Sequence, residues 1–187
     1  MPIRIRTEAK LLDAAEELFF TRGIAATPVD QVLARAGVST ATLYRGFDSK
    51  EALVAAALDR RHREWLASWD RAIAAQDTDR GRLLAVFDAL DEFRSRIGAA
   101  RWCAFLGSAA EYADAPPEVA AAVRLDTDTL RDRLTELAGP LTGDPAGLAE
   151  RLLLVVTGAL AMRLREPGTG TATARAVAAA VIDAERP

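Results

Sequence analysis

The chain has 187 residues, with 24 Lys and Arg against 27 Asp and Glu, a formal charge of −3, and half of its residues hydrophobic. That length fits one large domain or two small ones and is ample for a core without metal or disulfide staples, and the apolar content excludes a disordered tail protein. One cysteine, Cys103, permits no intrachain disulfide, and one histidine, His62, removes most histidine-based metal sites and triads, so no metal, no cofactor and no enzymatic chemistry are expected.

Almost every segment has helical period. Thr7–Thr21 places Leu11, Leu12, Ala15, Leu18 and Phe19 on one face, and Arg22-Gly23 closes it. Thr27-Pro28 reads as an N-cap followed by proline at the first helical position, with Val29, Val32, Leu33 and Ala36 on the buried side and Gly37 as the stop. Ser39 is an N-cap for a third short helix, expected over Thr40–Phe47, which buries Leu43 and Phe47. A long fourth helix opens at Asp48-Ser-Lys-Glu51 and runs to about Ala75, with Leu58, Trp65, Trp69 and Ile73 on one side.

The later segments continue the pattern: Arg80–Ile97, Ala100–Ala113, Glu118–Ala138, Leu148–Leu164 and Thr171–Glu185, separated by Pro- and Gly-bearing breaks. No segment alternates with period two, so the expected fold is all-α with about nine helices. Its expected domains are residues 1–50 and 51–187. The longest uncharged apolar run, Leu152–Met162, is too short to span a bilayer, and Met1-Pro-Ile-Arg4 starts no signal-peptide core. A cytoplasmic protein without a membrane partner is expected.

Charge divides unevenly. Residues 1–50 carry seven basic against six acidic side chains, and the remainder 17 against 21. Within the first stretch, two short helices meet at Arg35-Ala-Gly37-Val-Ser39. Small Ala34 and Ala36 allow close packing, Gly37 permits the sharp turn, and Val38 fills the gap. This is the sequence form of a helix-turn-helix, although an αα-hairpin in a bundle has the same spacing.

The stretches Leu11–Phe19, Arg22–Thr27, Val29–Ser39, Thr42–Tyr44 and Phe47–Leu53 stand in the order and spacing of one family. The region Leu11–Leu53 resembles the DNA-binding domain of the TetR (tetracycline-repressor) family of bacterial transcription regulators. Cys103–Glu111 and Leu152–Met162 resemble one branch of it.

The resemblance implies that the third helix enters the major groove, with Thr40, Ala41, Thr42, Tyr44 and Arg45 at base and phosphate contacts. Arg45 suits a two-bonded contact to guanine. Thr27, Ser39 and Lys50 would meet phosphates, and Arg4 and Arg6, in a short N-terminal arm, the backbone or minor groove. Gly46 departs from the family, which commonly has a bulky polar residue there, and in a helix it would cost about 1 kcal/mol relative to Ala.

A single head binds weakly, so a homodimer on a palindromic operator is expected, with half-sites about 34 Å apart or a multiple of that. The helix Leu148–Leu164, apolar nearly all round, and the last helix resemble the family's four-helix dimer interface, through Leu152, Val155, Val156, Ala159, Met162, Val177 and Val181. The resemblance also implies a small-molecule effector held among the C-terminal helices. The aromatics Trp65, Trp69, Phe87, Phe93, Trp102, Phe105 and Tyr112 would line the site, interrupted by His62, Asp126 and Thr127. Plain core or interface bonds would explain the same residues.

The expected mechanism is repression relieved when the effector shifts the fourth helix and changes the separation of the heads. The alternatives are a helical small-molecule carrier and a DNA-binding protein without ligand response. The first lacks a reactive constellation, and the second favours a more basic chain.

Overall fold

The computed structural model describes residues 5–96, 103–112 and 114–185. Arg4 and Trp102, and the ends of the expected helices at Ile97 and 100–102, lie outside the described residues. Among the described residues every regular element is a helix: α1 (Ile5–Arg22), α2 (Val29–Ala36), α3 (Thr40–Leu43), α4 (Lys50–Ala74), α5 (Asp79–Arg96), α6 (Ala104–Glu111), α7 (Pro117–Ala138), α8 (Pro145–Arg165) and α9 (Ala172–Asp183).

Two compact units divide the chain by packing rather than by a single cut. The first takes Met1–Arg61 with Ala99–Arg124; the second takes His62–Gly98 with Leu125–Pro187. The expected boundary at residue 50 therefore does not coincide with the packing. The first half of α4, all of α6 and the start of α7 join the head.

The first core is built on α1, whose expected face, Leu11, Leu12, Ala15, Leu18 and Phe19, is buried. Against it lie Val32 and Leu33 of α2, Leu43 of α3, Leu53, Val54, Ala57 and Leu58 of α4, Ala104 and Phe105 of α6, and Val119 of α7. Each large aliphatic or aromatic side chain so buried contributes roughly 1.5–3 kcal/mol. Arg60 of α4 bridges Asp13 and Glu16 of α1, at 2.8 and 2.5 Å.

Gly37 ends α2 at φ +66, a left-handed conformation that glycine adopts without strain. Its amide and that of Val38 bond back to the Ala34 and Leu33 carbonyls. The turn forms as the spacing requires, with Val38 half-buried against the core.

Four expectations are corrected here. The third helix is a single turn, Thr40–Leu43, and then tightens so that the Gly46 and Phe47 amides share the Leu43 carbonyl, at 2.8 and 2.9 Å. Gly46 therefore sits beyond the helix, and the interior penalty does not apply. Arg6 is helical, in the first turn of α1, and not in an extended arm. Thr27 does not cap α2: Pro28 precedes the helix without a side-chain cap bond. Leu152 and Val156 are core residues, unavailable to a second subunit.

The second core gathers Trp65 and Trp69 of α4, Leu83–Phe87 and Leu90 of α5, Leu130 and Leu134 of α7, Leu148, Leu152, Leu153 and Val156 of α8, and Ala178 and Ile182 of α9. Trp65 and Trp69 stack at 5.6 Å, and Phe93 meets Trp65 edge-on at 5.7 Å. The guanidinium of Arg80 grips Asp183 with two 2.8 Å bonds, tying the start of α5 to the end of α9. α8 alone among the described helices is long and apolar enough to cross a membrane, with a mean hydropathy of 1.4. The uncharged run Leu152–Met162 is shorter than this helix because Glu150 and Arg151 lie within the helix just before it.

If α6 belongs to the head's core, Phe105→Ala should cost about 3–5 kcal/mol there. Hydrogen exchange is expected to speed up at α1 and α4 amides near Leu11 and Leu53, while the amides of α8 near Val156 keep their protection.

Candidate functional site

The turn and α3 present a contiguous polar surface. Ser39 caps α3, its Oγ accepting the Thr42 amide at 3.3 Å and lying 2.9 Å from Thr42 Oγ1. Thr42 Oγ1 in turn accepts a bond from Arg45 Nη2 at 2.9 Å. One hydroxyl chain thus runs from the cap to the guanidinium. Ser39, Thr40, Ala41, Arg45 and Gly46 are exposed, Thr42 is half-buried, and Tyr44 is 52% exposed. Beneath them Leu43 is wholly buried. The side chains are therefore sorted as a surface reader needs, with one apolar anchor below and the polar groups outward.

Not every basic group is open to solvent ligands. Arg35 is paired with Glu17 at 2.6 Å, and Arg22 bonds the Gln31 side chain at 3.3 Å. Two expected phosphate contacts are turned inward. Thr27 has no exposed surface, and its hydroxyl donates to the Gly23 carbonyl at 2.7 Å. Lys50 donates to the Ile24 carbonyl at 2.6 Å, with its ammonium 5.8 Å from the centre of the Phe19 ring. Thr27 is thereby corrected from a phosphate contact to a fastening inside the α1–α2 turn.

Sequence reasoning missed a third fastening of that turn. Glu111, the last residue of α6, accepts the Ala25 amide at 2.8 Å. No local signal announces a bond across 86 positions. Nearby, burial first and then the charges of Glu51, Glu111 and Glu118 push the Tyr112 phenol up.

The residues expected around an effector do not gather in one cluster. Trp65, Trp69, Phe87 and Phe93 lie in the second core, while Phe105 and Tyr112 pack in the first. Assigning all of them by aromatic content overlooked their partners. His62 and Asp126, both in the second unit, bond to each other, Nδ1 to Oδ1 at 3.0 Å, so a protein carboxylate is the partner that buried His62 requires. Thr127, also in the second unit, is half-buried. Trp69 Nε1 is buried with no hydrogen-bond partner among the described residues.

On α8 and α9 the exposed large apolar side chains are Leu154 (75% exposed), Met162, Leu164 and Val177. Val155, Ala159 and Val181 are half-buried. Leu154 and Leu164 had not been singled out, because a helix apolar all round does not reveal which side its own core takes.

Residues 11–57 match the description "Bacterial regulatory proteins, tetR family". The chain is 30% identical over 159 residues to the transcriptional activator FasR of Mycolicibacterium smegmatis, covering 85% of this chain and 69% of that protein. It is similar in fold to a TetR-family regulator from Streptomyces coelicolor, with a TM-score of 0.87, 30% identity and 97% of both chains covered. A tetR-type regulator from Streptomyces avermitilis aligns with a TM-score of 0.78 at 26% identity, over 96% of this chain and 97% of that one.

Thr27→Val keeps the side chain's shape and removes the buried donor to Gly23. It should lower stability in urea titration by about 1–3 kcal/mol. A hydroxyl serving only a solvent-side phosphate would leave the midpoint unmoved.

Proposed function

The chain belongs to the tetR family of bacterial regulatory proteins and is a DNA-binding transcription regulator, not an enzyme. From that premise we propose that it is a cytoplasmic homodimer that grips a palindromic operator with two copies of α3 and loosens that grip when a small apolar or amphipathic effector enters the second unit. The observation that carries the reading is the outward row of polar side chains, Ser39, Thr40, Thr42, Tyr44 and Arg45, with small exposed Ala41 among them, anchored by buried Leu43. Arg45 reads guanine, and the hydroxyls and the Tyr44 phenol meet phosphate oxygens. Arg6 contributes from the first turn of α1.

The dimer reading is supported by α8 and α9. Leu148, Leu152, Leu153 and Val156 occupy the core, yet Leu154, Met162, Leu164 and Val177 face outward. Large apolar side chains left outward on two neighbouring helices mark an interaction surface. A second copy of the same pair satisfies them by two-fold symmetry. That explains the membrane-like hydropathy of α8 without a membrane: its C-terminal Arg163 is buried and bonded to Asp91 of α5 at 3.1 Å.

An effector site among Trp65, Trp69, Phe87 and Phe93, near His62, Asp126 and Thr127, is supported by the unsatisfied Trp69 indole N–H. A buried donor without an acceptor costs on the order of 1–3 kcal/mol, which a ligand oxygen would recover. Repression follows if the operator overlaps a promoter. Activation is the second reading, favoured by the name of the M. smegmatis relative. A promoter–reporter fusion with and without the gene separates the two.

Arg45→Ala should weaken binding to a duplex selected from random-sequence DNA by about 10–100-fold and relax the preference at one base position. Its circular dichroism and dimer mass should be unchanged; an unaltered anisotropy curve refutes the role. Leu154→Glu should yield monomers in light scattering and lose the palindrome while keeping helical content. A variant that stays dimeric refutes the interface.

A further inference from the structure

The turn joining α1 to α2 is gripped from two distant parts of the chain at the two ends of one peptide group, the one that links Ile24 to Ala25. Lys50, the first residue of α4, donates its ammonium to the Ile24 carbonyl at 2.6 Å. Glu111, the last residue of α6, accepts the Ala25 amide at 2.8 Å. The cation sits on a carbonyl and the anion on an amide, the pairing that strengthens both bonds. Gly23 makes the approach possible. It has φ +95, and a Cβ built there would lie 3.3 and 3.4 Å from the two Glu111 oxygens. The carboxylate therefore rests against the Gly23 backbone, where a side chain would crowd it.

The held turn decides where α2 starts, and α2 with Gly37 places α3.

We infer that Glu111 is a positioning residue for DNA recognition: by holding the Ala25 amide it fixes the α1–α2 turn, and through it α3, to the end of α6. This rests on the DNA-binding reading above and gives the end of α6 an indirect hold on the reading helix, through the α1–α2 turn and α2. Glu111 is exposed, so its bond adds little to global stability and acts chiefly through geometry.

The sign of the effect separates this role from simple electrostatics. Removing an acidic side chain from a protein that binds a polyanion ordinarily raises affinity. Glu111→Ala in the full chain is expected instead to lower affinity for a duplex selected from random-sequence DNA on the wild-type chain, by about 3–10-fold. Exchange of the Ala25 amide should accelerate with no change in melting temperature. Glu111→Gln, whose amide oxygen still accepts, should restore most of the affinity.

Equal or tighter binding by Glu111→Ala overturns the inference alone. So does a loss of affinity matched by a fall in melting temperature, or a loss that Glu111→Gln fails to restore. A selection that recovers no duplex overturns the DNA-binding reading and this inference together.

Discussion

A helix of four residues makes almost no hydrogen bonds of its own and has no stability apart from what holds it. The proposed reader, α3, is such a helix. It exists because Leu43 is wholly buried and Phe47 nearly so, Ser39 caps its start, and Gly37 fixes its entry. Everything asked of this protein therefore depends on the first core. That core is not local: residues from α6 and α7 complete it. The fastening of the α1–α2 turn follows the same logic. Thr27, Lys50 and Glu111 each bond one backbone group of the turn, at Gly23, Ile24 and Ala25.

The second constraint is charge. A chain with net −3 gains little from long-range attraction to DNA, and several basic groups near the head are spent on Glu17, Gln31 and the Ile24 carbonyl. The proposed dimer answers this constraint: a few well-placed contacts would be repeated by symmetry, and two heads on one interface would make the second contact an intramolecular event, which raises binding without any new residue. The exposed Leu154 and Val177 are the side chains that this proposal uses.

What was legible in the sequence was what is local. The faces of α1 and α2 follow from i, i+3, i+4 spacing, and the Gly37 turn from the one residue that tolerates its conformation. Thr27 was misread because a threonine before Pro28 signals a cap, while the same hydroxyl can reach back four residues to Gly23, a competing bond that spacing does not distinguish. The extent of α3 was overstated because Phe47 continues the apolar spacing even though Gly46 breaks the helix. Phe105 and Tyr112 were placed by aromatic content, and only their packing partners assign them to the head. On α8, Leu152 and Leu154 are equivalent by composition; the position of α9 and α5 decides which is core. Glu111 left no trace, since a bond between residues 25 and 111 has no periodicity to reveal it.

The division into two cores would also limit how the proposed effector acts. α4 gives Leu53, Val54, Ala57 and Leu58 to the first core and Trp65, Trp69 and Ala72 to the second; α7 gives Val119 to the first and Leu130, Leu134 and Ala138 to the second. Rigid helices that belong to two cores carry strain between them without a dedicated wire. A molecule that repacked Trp69, as proposed, would act on the same helix whose first residue, Lys50, holds the α1–α2 turn. Its leverage is capped by its preference for one arrangement over the other, however tightly it binds. Under the proposed effector response, a reading helix this short would lower that requirement: where α3 is held by a few contacts, a small differential affinity would suffice to shift it.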